Sequence, residues 1–155
     1  LEGALQMHRP SRQTCSLRWQ ALQLALLHLL GSAPRGALQQ EFRRTVPMLL
    51  EALHEVGSCS LPGMSLALPP TLALLEWLLP DPTWGPKMEA HAERLVEALL
   101  PLVSYRPAAT VRRAALHCLA LLVKHVEYRH LHSYAAQVRK VVDSCLDDPK
   151  RAVRF

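Results

Sequence analysis

Apolar residues recur along this chain at the three- and four-residue spacing of amphipathic helices. The clearest case is a helix expected over 109–126, with an apolar face formed by Val111, Ala115, Leu119, Leu122 and Val123. The same spacing predicts helices over residues 12–30, 37–56, 66–79, 87–103 and 131–146, and the start of another over 149–155. Because Leu and Ala dominate while β-branched and aromatic residues are few, the pattern indicates an all-α fold.

The helix over 109–126 begins with a motif that recurs forty-two residues later. The motif consists of Pro107, Val111 and Arg112 in one copy, and of Asp148, Pro149, Val153 and Arg154 in the other. The preceding helices are offset by the same interval, since Val96 and Val138 occupy equivalent places. One period therefore contains two helices. A looser copy of the opening is found at Leu17-Arg18.

A period of about 40 to 47 residues with two helices per unit is typical of HEAT repeats, and the chain resembles this family. The resemblance implies an armadillo-like α-solenoid of stacked antiparallel helical hairpins, with residues 1–155 as a single fragment. Since one hairpin cannot bury its own apolar faces, we expect exposed apolar surface at both ends. The motif valine should pack between repeats, and Arg112 should pair with Asp147 or Asp148 of the adjacent unit.

Positive charge is concentrated in the last third of the chain. The formal charge is +5 overall, and residues 105–155 contain ten Lys and Arg against four Asp and Glu. Such a field suits an acidic protein surface or a phosphate backbone, and plain solvation of charged helix faces is the third interpretation. Few aromatic residues are present to stack on bases, which favours protein partners over nucleic acid. The candidate partner-binding residues are Arg113, Arg129, Arg139, Lys140, Lys150 and Arg151.

No residue pattern in the chain indicates catalysis. Gly-rich phosphate loops are absent from the sequence, and Cys118 lies within a helical pattern without a glycine elbow. His125, His130 and His132 form the densest histidine group, but their spacing matches no zinc motif. We therefore expect a protein that is not an enzyme and that holds no cofactor or metal.

The cysteines and the hydropathy pattern bear on the compartment. The four cysteines are far apart in sequence, and we expect Cys15, Cys118 and Cys145 to be buried free thiols of a reducing environment. Neither a signal peptide nor an apolar run of bilayer-spanning length is visible. An intracellular protein with no membrane association is expected.

Two segments resemble one particular family of HEAT-repeat proteins. The run LDDPKRAVR at 146–154 resembles the last repeat of the methyl-methanesulfonate-sensitivity family, the large adaptor of the cytosolic iron–sulfur assembly targeting complex. The run VRxAALxC at 111–118 is similar to the penultimate repeat. The resemblance implies a cytoplasmic and nuclear scaffold that binds assembly factors and client apoproteins and helps deliver iron–sulfur clusters to those clients. The alternative is a HEAT-repeat scaffold of another class, such as a nucleic-acid-associated or nuclear-transport protein.

Overall fold

The computed structural model describes residues 46–47, 49–50, 53–54, 68–82 and 85–154. Helix is the only regular secondary structure in these ranges, which confirms the all-α expectation. Of the helix expected over 37–56, the described positions Val46, Leu49, Leu50 and Leu53 are helical and buried. The helix expected over 12–30 and the Leu17-Arg18 copy of the motif lie outside the described residues.

Among the described residues from 68 onward, six α-helices follow one another. They are α1 at Leu68–Leu78, α2 at Gly85–Met88, α3 at Ala92–Val103, α4 at Ala109–His125, α5 at Ala135–Leu146 and α6 at Arg151–Arg154. Short 3₁₀ turns connect some of them, at Glu89–His91, Tyr128–His130 and His132–Tyr134.

Two expected helices differ from the pattern at their N-terminal ends. The α-helix expected over 87–103 is interrupted by the 3₁₀ turn at Glu89–His91, and the one expected over 131–146 begins only at Ala135. Around 128–134 the side chains are mostly polar and exposed, with Leu131 alone fully buried. A single apolar anchor is satisfied by a 3₁₀ turn as well as by an α-helical one. Over a single turn, the spacing of apolar residues cannot distinguish a 3₁₀-helix with 3.0 residues per turn from an α-helix with 3.6.

Helix α4 lies at the centre of the described core. It packs against α1, α3 and α6, while α3 also contacts α5, and α5 contacts α6. The predicted face of α4 is found at Val111, Ala115, Leu119 and Leu122, all buried, but the assignment of Val123 to that face is wrong. Val123 is 51% exposed because it lies about 120° around the helix from Val111 at ~100° per residue.

Helix α5 is the least covered of the long helices. Cys145 is its one fully buried residue, whereas Val138 and Val141 are half-buried. Val142 and Leu146 are 39% and 63% exposed, so the apolar surface expected at one end of the chain is found on this helix. The opposite end lies outside the described residues. Within the described part, no helix combines the length and the apolar character needed to cross a membrane.

Candidate partner-binding surface

Arg112 connects the loop that precedes α4 with the loop that precedes α6. From the first turn of α4, where it is 9% exposed, its Nε donates to Asp148 Oδ2 at 2.7 Å and its Nη2 to Asp148 Oδ1 at 3.0 Å. Its Nη1 donates to the carbonyl oxygens of Tyr105 and Arg106, at 3.0 and 3.3 Å. The pairing predicted for Arg112 is thus found with Asp148, whereas Asp147 is exposed.

The Arg112–Asp148 ion pair stabilises both charged forms. The hydrogen bonds from Arg112 hold the pKa of the Asp148 carboxyl below its usual range, and Asp148 in turn raises the pKa of the guanidinium. Asp148 Oδ1 also accepts the backbone N–H of Lys150 at 2.8 Å, which closes a local turn just before α6. One carboxylate therefore ties α4 to the start of α6.

The second motif arginine makes the equivalent backbone contact. Arg154 Nη1 donates to the carbonyl oxygen of Asp148 at 2.8 Å, six residues upstream, just as Arg112 Nη1 donates to Arg106, also six residues upstream. The two hydrogen bonds are forty-two residues apart in sequence. The repeat seen in the sequence is therefore a repeat of hydrogen bonds as well. The motif valines, Val111 and Val153, are both buried.

The six candidate partner-binding cations are exposed and spread over α4, α5, the turn at Tyr128–His130 and the start of α6. Within the described ranges, four of these side chains form no hydrogen bond or ion pair, namely Arg113, Arg139, Lys140 and Lys150. Arg129 instead pairs with Glu127 at 2.8 Å and donates to His130 at 3.1 Å. The six are thus divided among four segments, and Arg129 is partly neutralised.

Lys150 lies at the edge of a cavity of about 500 Å³ between two loops. The cavity is lined by residues of 103–112 and 144–150, among them Arg106, Ser104 and Ser144. The mostly buried charges in its lining, those of Arg112 and Asp148, pair with each other. The cavity follows from the loop geometry that the motif arginine fixes.

Arg113 lines a second space of about 500 Å³, which we call the α4 groove. The groove is lined by Glu76 of α1, by Arg113, Leu116, His117 and Ala120 of α4, and by Val153 of α6. His117 Nδ1 lies 3.1 Å from Glu76 Oε1, and the two side chains are 59% and 32% exposed. The groove thus combines apolar lining, the polar contact between His117 and Glu76, and a cation without a described partner.

The sequence interpretation missed most of the α4 groove. Glu76 and His117 are forty-one residues apart, close to one period, and that interval was the available signal. It was not recognised because the segment over 66–79 lacks the Val-Arg opening. The pairing becomes visible only once α1 is placed beside α4.

Both described cysteines are buried and free, as expected. Cys118 Sγ donates to the carbonyl oxygen of Leu72 at 3.4 Å, and burial raises the pKa of this thiol well above its usual value. Burial also raises the pKa of Cys145. Both thiols are therefore protonated at neutral pH, which makes them poor nucleophiles. Among the described residues, no group of three or more metal-binding side chains occurs.

Comparison with known proteins shows a similarity along most of the chain. No protein-family profile matches it. It is 27% identical over 139 residues, 90% of its length, to an Arabidopsis thaliana protein named MMS19 nucleotide excision repair protein homolog. A Dictyostelium discoideum protein of the same name is 25% identical over 131 residues, or 84% of the chain. The chain spans 12% and 11% of the lengths of these curated relatives.

These relatives confirm the resemblance to the methyl-methanesulfonate-sensitivity family. In the sequence, the resemblance was based on the runs at 111–118 and 146–154, which both lie in the last third of the chain. The aligned lengths extend it well beyond that third.

Proposed function

We propose that this chain is part of a non-catalytic scaffold in which HEAT-type helical hairpins stack into an α-solenoid. The observation that carries the proposal is the hydrogen bond from the motif arginine to the loop six residues upstream, made by both Arg112 and Arg154. The helix contacts support it as well. α4 packs against α1 and α6, while α3 contacts α5, as expected when equivalent helices of successive hairpins lie side by side.

The proposed role of the scaffold is that of an adaptor for protein partners in cytoplasm and nucleus. Exposed cations such as Arg113 and Lys150 are available to acidic surfaces. The similarity to the adaptor family supports delivery of iron–sulfur clusters to client apoproteins through assembly partners. The cluster would be cargo held by those partners.

Affinity purification tests the proposed adaptor role. The protein is tagged at its own genomic locus, purified from cells and analysed by quantitative mass spectrometry, with an untagged strain as control. We expect cytosolic iron–sulfur assembly factors and iron–sulfur apoproteins to be enriched. Reproducible absence of both groups would contradict the adaptor role. Substitution of Arg113 and Lys150 by Glu reverses their charge and tests whether these basic residues bind the partners. The same substitution at Arg94, an exposed residue of α3, is the matched control.

A direct role on DNA is the second candidate, favoured by the relatives' name of nucleotide excision repair protein homolog. Binding of the full chain to a fluorescent DNA duplex is measured while salt is raised. A phosphate-binding surface loses affinity along a steep straight line of log K against log salt. Tight binding with such a slope would favour the DNA role over the adaptor role. Weak binding that does not change when Arg113 and Lys150 are substituted would show that these two residues do not bind DNA.

A further inference from the structure

The α4 groove has an apolar floor and a charged rim. Leu116 is half-buried and Ala120 is exposed on α4, and the buried Val153 of α6 lies beside them. At the rim, Arg113 is exposed and makes no hydrogen bond or ion pair within the described ranges. A volume of about 500 Å³ is in the range of sites that accept one or two side chains of a ligand.

The exposed face of α4 continues this arrangement beyond the groove. Arg113, His117, Ala120 and Lys124 are spaced four, three and four residues apart, which places them along one stripe of the helix. At 1.5 Å per residue, the two outer cations lie about 16 Å apart along the axis. Lys124 is exposed and, like Arg113, forms no hydrogen bond or ion pair with a described residue. Two cations therefore flank an apolar centre.

We infer that the α4 groove binds a short acidic segment of a partner protein. One carboxylate of the segment pairs with Arg113, and an adjacent aliphatic or aromatic side chain lies on Leu116 and Ala120. A second carboxylate of the segment pairs with Lys124. About five extended residues span the distance between Arg113 and Lys124. The inference rests on the proposed scaffold function and adds to it the chemistry of the partner.

Charge and shape favour a peptide over nucleic acid. Glu76 places a carboxylate in the groove that can accept hydrogen bonds from peptide backbone N–H groups, donors that a phosphate backbone lacks. None of the described residues that line the groove is aromatic, so this described part offers no surface on which bases stack. Arg113 is well suited to a carboxylate because a guanidinium binds it through two parallel hydrogen bonds.

Selection from a random peptide library tests the inference, since it requires no identified partner. Peptides of about twelve residues, displayed on phage, are selected against the immobilised full chain. We expect the selected pool to contain an excess of Asp and Glu over Lys and Arg, with a large apolar residue beside an acidic one. A selected pool without this acidic excess would overturn the inference.

Variants then locate the site of the selected peptides. Arg113→Glu should weaken their binding about tenfold or more, because it replaces a charge-assisted hydrogen bond by repulsion. Ala120→Trp should have a similar effect by filling the groove, with no change of charge. Arg94→Glu on α3 is the matched control, since this cation is also exposed but does not line the groove; it should change affinity less than about twofold. Circular dichroism verifies the fold, and Arg113→Gln replaces any unfolded variant.

The outcomes separate this inference from the proposed function. If Arg113→Glu and Ala120→Trp bind the selected peptides like the wild type, the groove is not the site, even where partners still co-purify from cells. If a DNA duplex competes with the peptides at the groove and binds more tightly than they do, the acidic-peptide inference is wrong. Loss of all co-purifying proteins from the wild-type chain would instead contradict the scaffold role itself.

Discussion

Arg112 and Asp148 are thirty-six residues apart in sequence and form two hydrogen bonds, at 2.7 and 3.0 Å, across the contact between α4 and α6. Because Arg112 also donates to Tyr105 and Arg106, one side chain fixes the loop before its own helix and the loop before α6. An arginine can do this because its five N–H groups form a planar fork, which a lysine lacks. The pair therefore ties α4 to the loop that leads into α6.

Removal of either Arg112 or Asp148 should destabilise the protein. Removal of both should reduce stability by less than the sum of the two single losses. Arg112→Ala and Asp148→Ala each leave a mostly buried charge unpaired, so we expect each to lower the thermal midpoint by roughly 5 °C. The double variant leaves neither charge. A double-mutant cycle by differential scanning calorimetry measures the coupling, with Arg113→Ala as the exposed neighbour control. Strictly additive effects would show that the pair contributes no coupling.

The contribution of Asp148 should depend on pH in the acidic range. Its pKa is lower in the folded protein than in the unfolded chain, so the unfolded state takes up the proton first as pH falls. The stabilisation is therefore complete above the ordinary aspartate pKa of about 4 and is lost as pH falls through the folded value. The difference in thermal midpoint between wild type and Asp148→Asn should be constant near neutral pH and shrink below pH about 4. A constant difference down to pH 2 would contradict the pKa shift.

Adjacent residues of α4 should differ sharply in their importance for stability. Leu122 is fully buried, and Leu122→Ala should reduce the free energy of unfolding by about 3 kcal/mol through lost burial and a cavity. Val123 is 51% exposed, and Val123→Ala should cost less than about 0.5 kcal/mol. Urea denaturation followed by circular dichroism measures both. Equal losses would place Val123 in the core, as the sequence pattern alone had it.

The two described thiols should be unreactive in the native protein. In a Cys15→Ser, Cys59→Ser background, only Cys118 and Cys145 remain, and burial raises the pKa of both. Since the thiolate is the reactive form, a chromogenic disulfide reagent at neutral pH should label them only as fast as the protein opens. In denaturant, both should react at once. Rapid labelling of the native protein would mean that these cysteines are accessible.

The sequence predicted what depends on periodicity. The buried face of α4 and the pairing of Arg112 with a neighbouring aspartate both follow from residues at fixed spacings, and both are found. The misassigned Val123 and the 3₁₀ turns around Leu131 show the limit, since short apolar spacings fit more than one helical geometry. The α4 groove was missed for another reason. Glu76 and His117 meet only when separate helices pack, and neither stands in a motif.

The contact that both motif arginines share has a consequence for how such a chain can evolve. Their acceptors are main-chain carbonyls, which every amino acid provides, so the side chain at that loop position is not constrained by this bond. In one copy the position is Arg106 and in the next it is Asp148, residues of opposite charge at the same place in the repeat. The side chain at this position is therefore available for another role, and in the second copy Asp148 uses it to pair with Arg112.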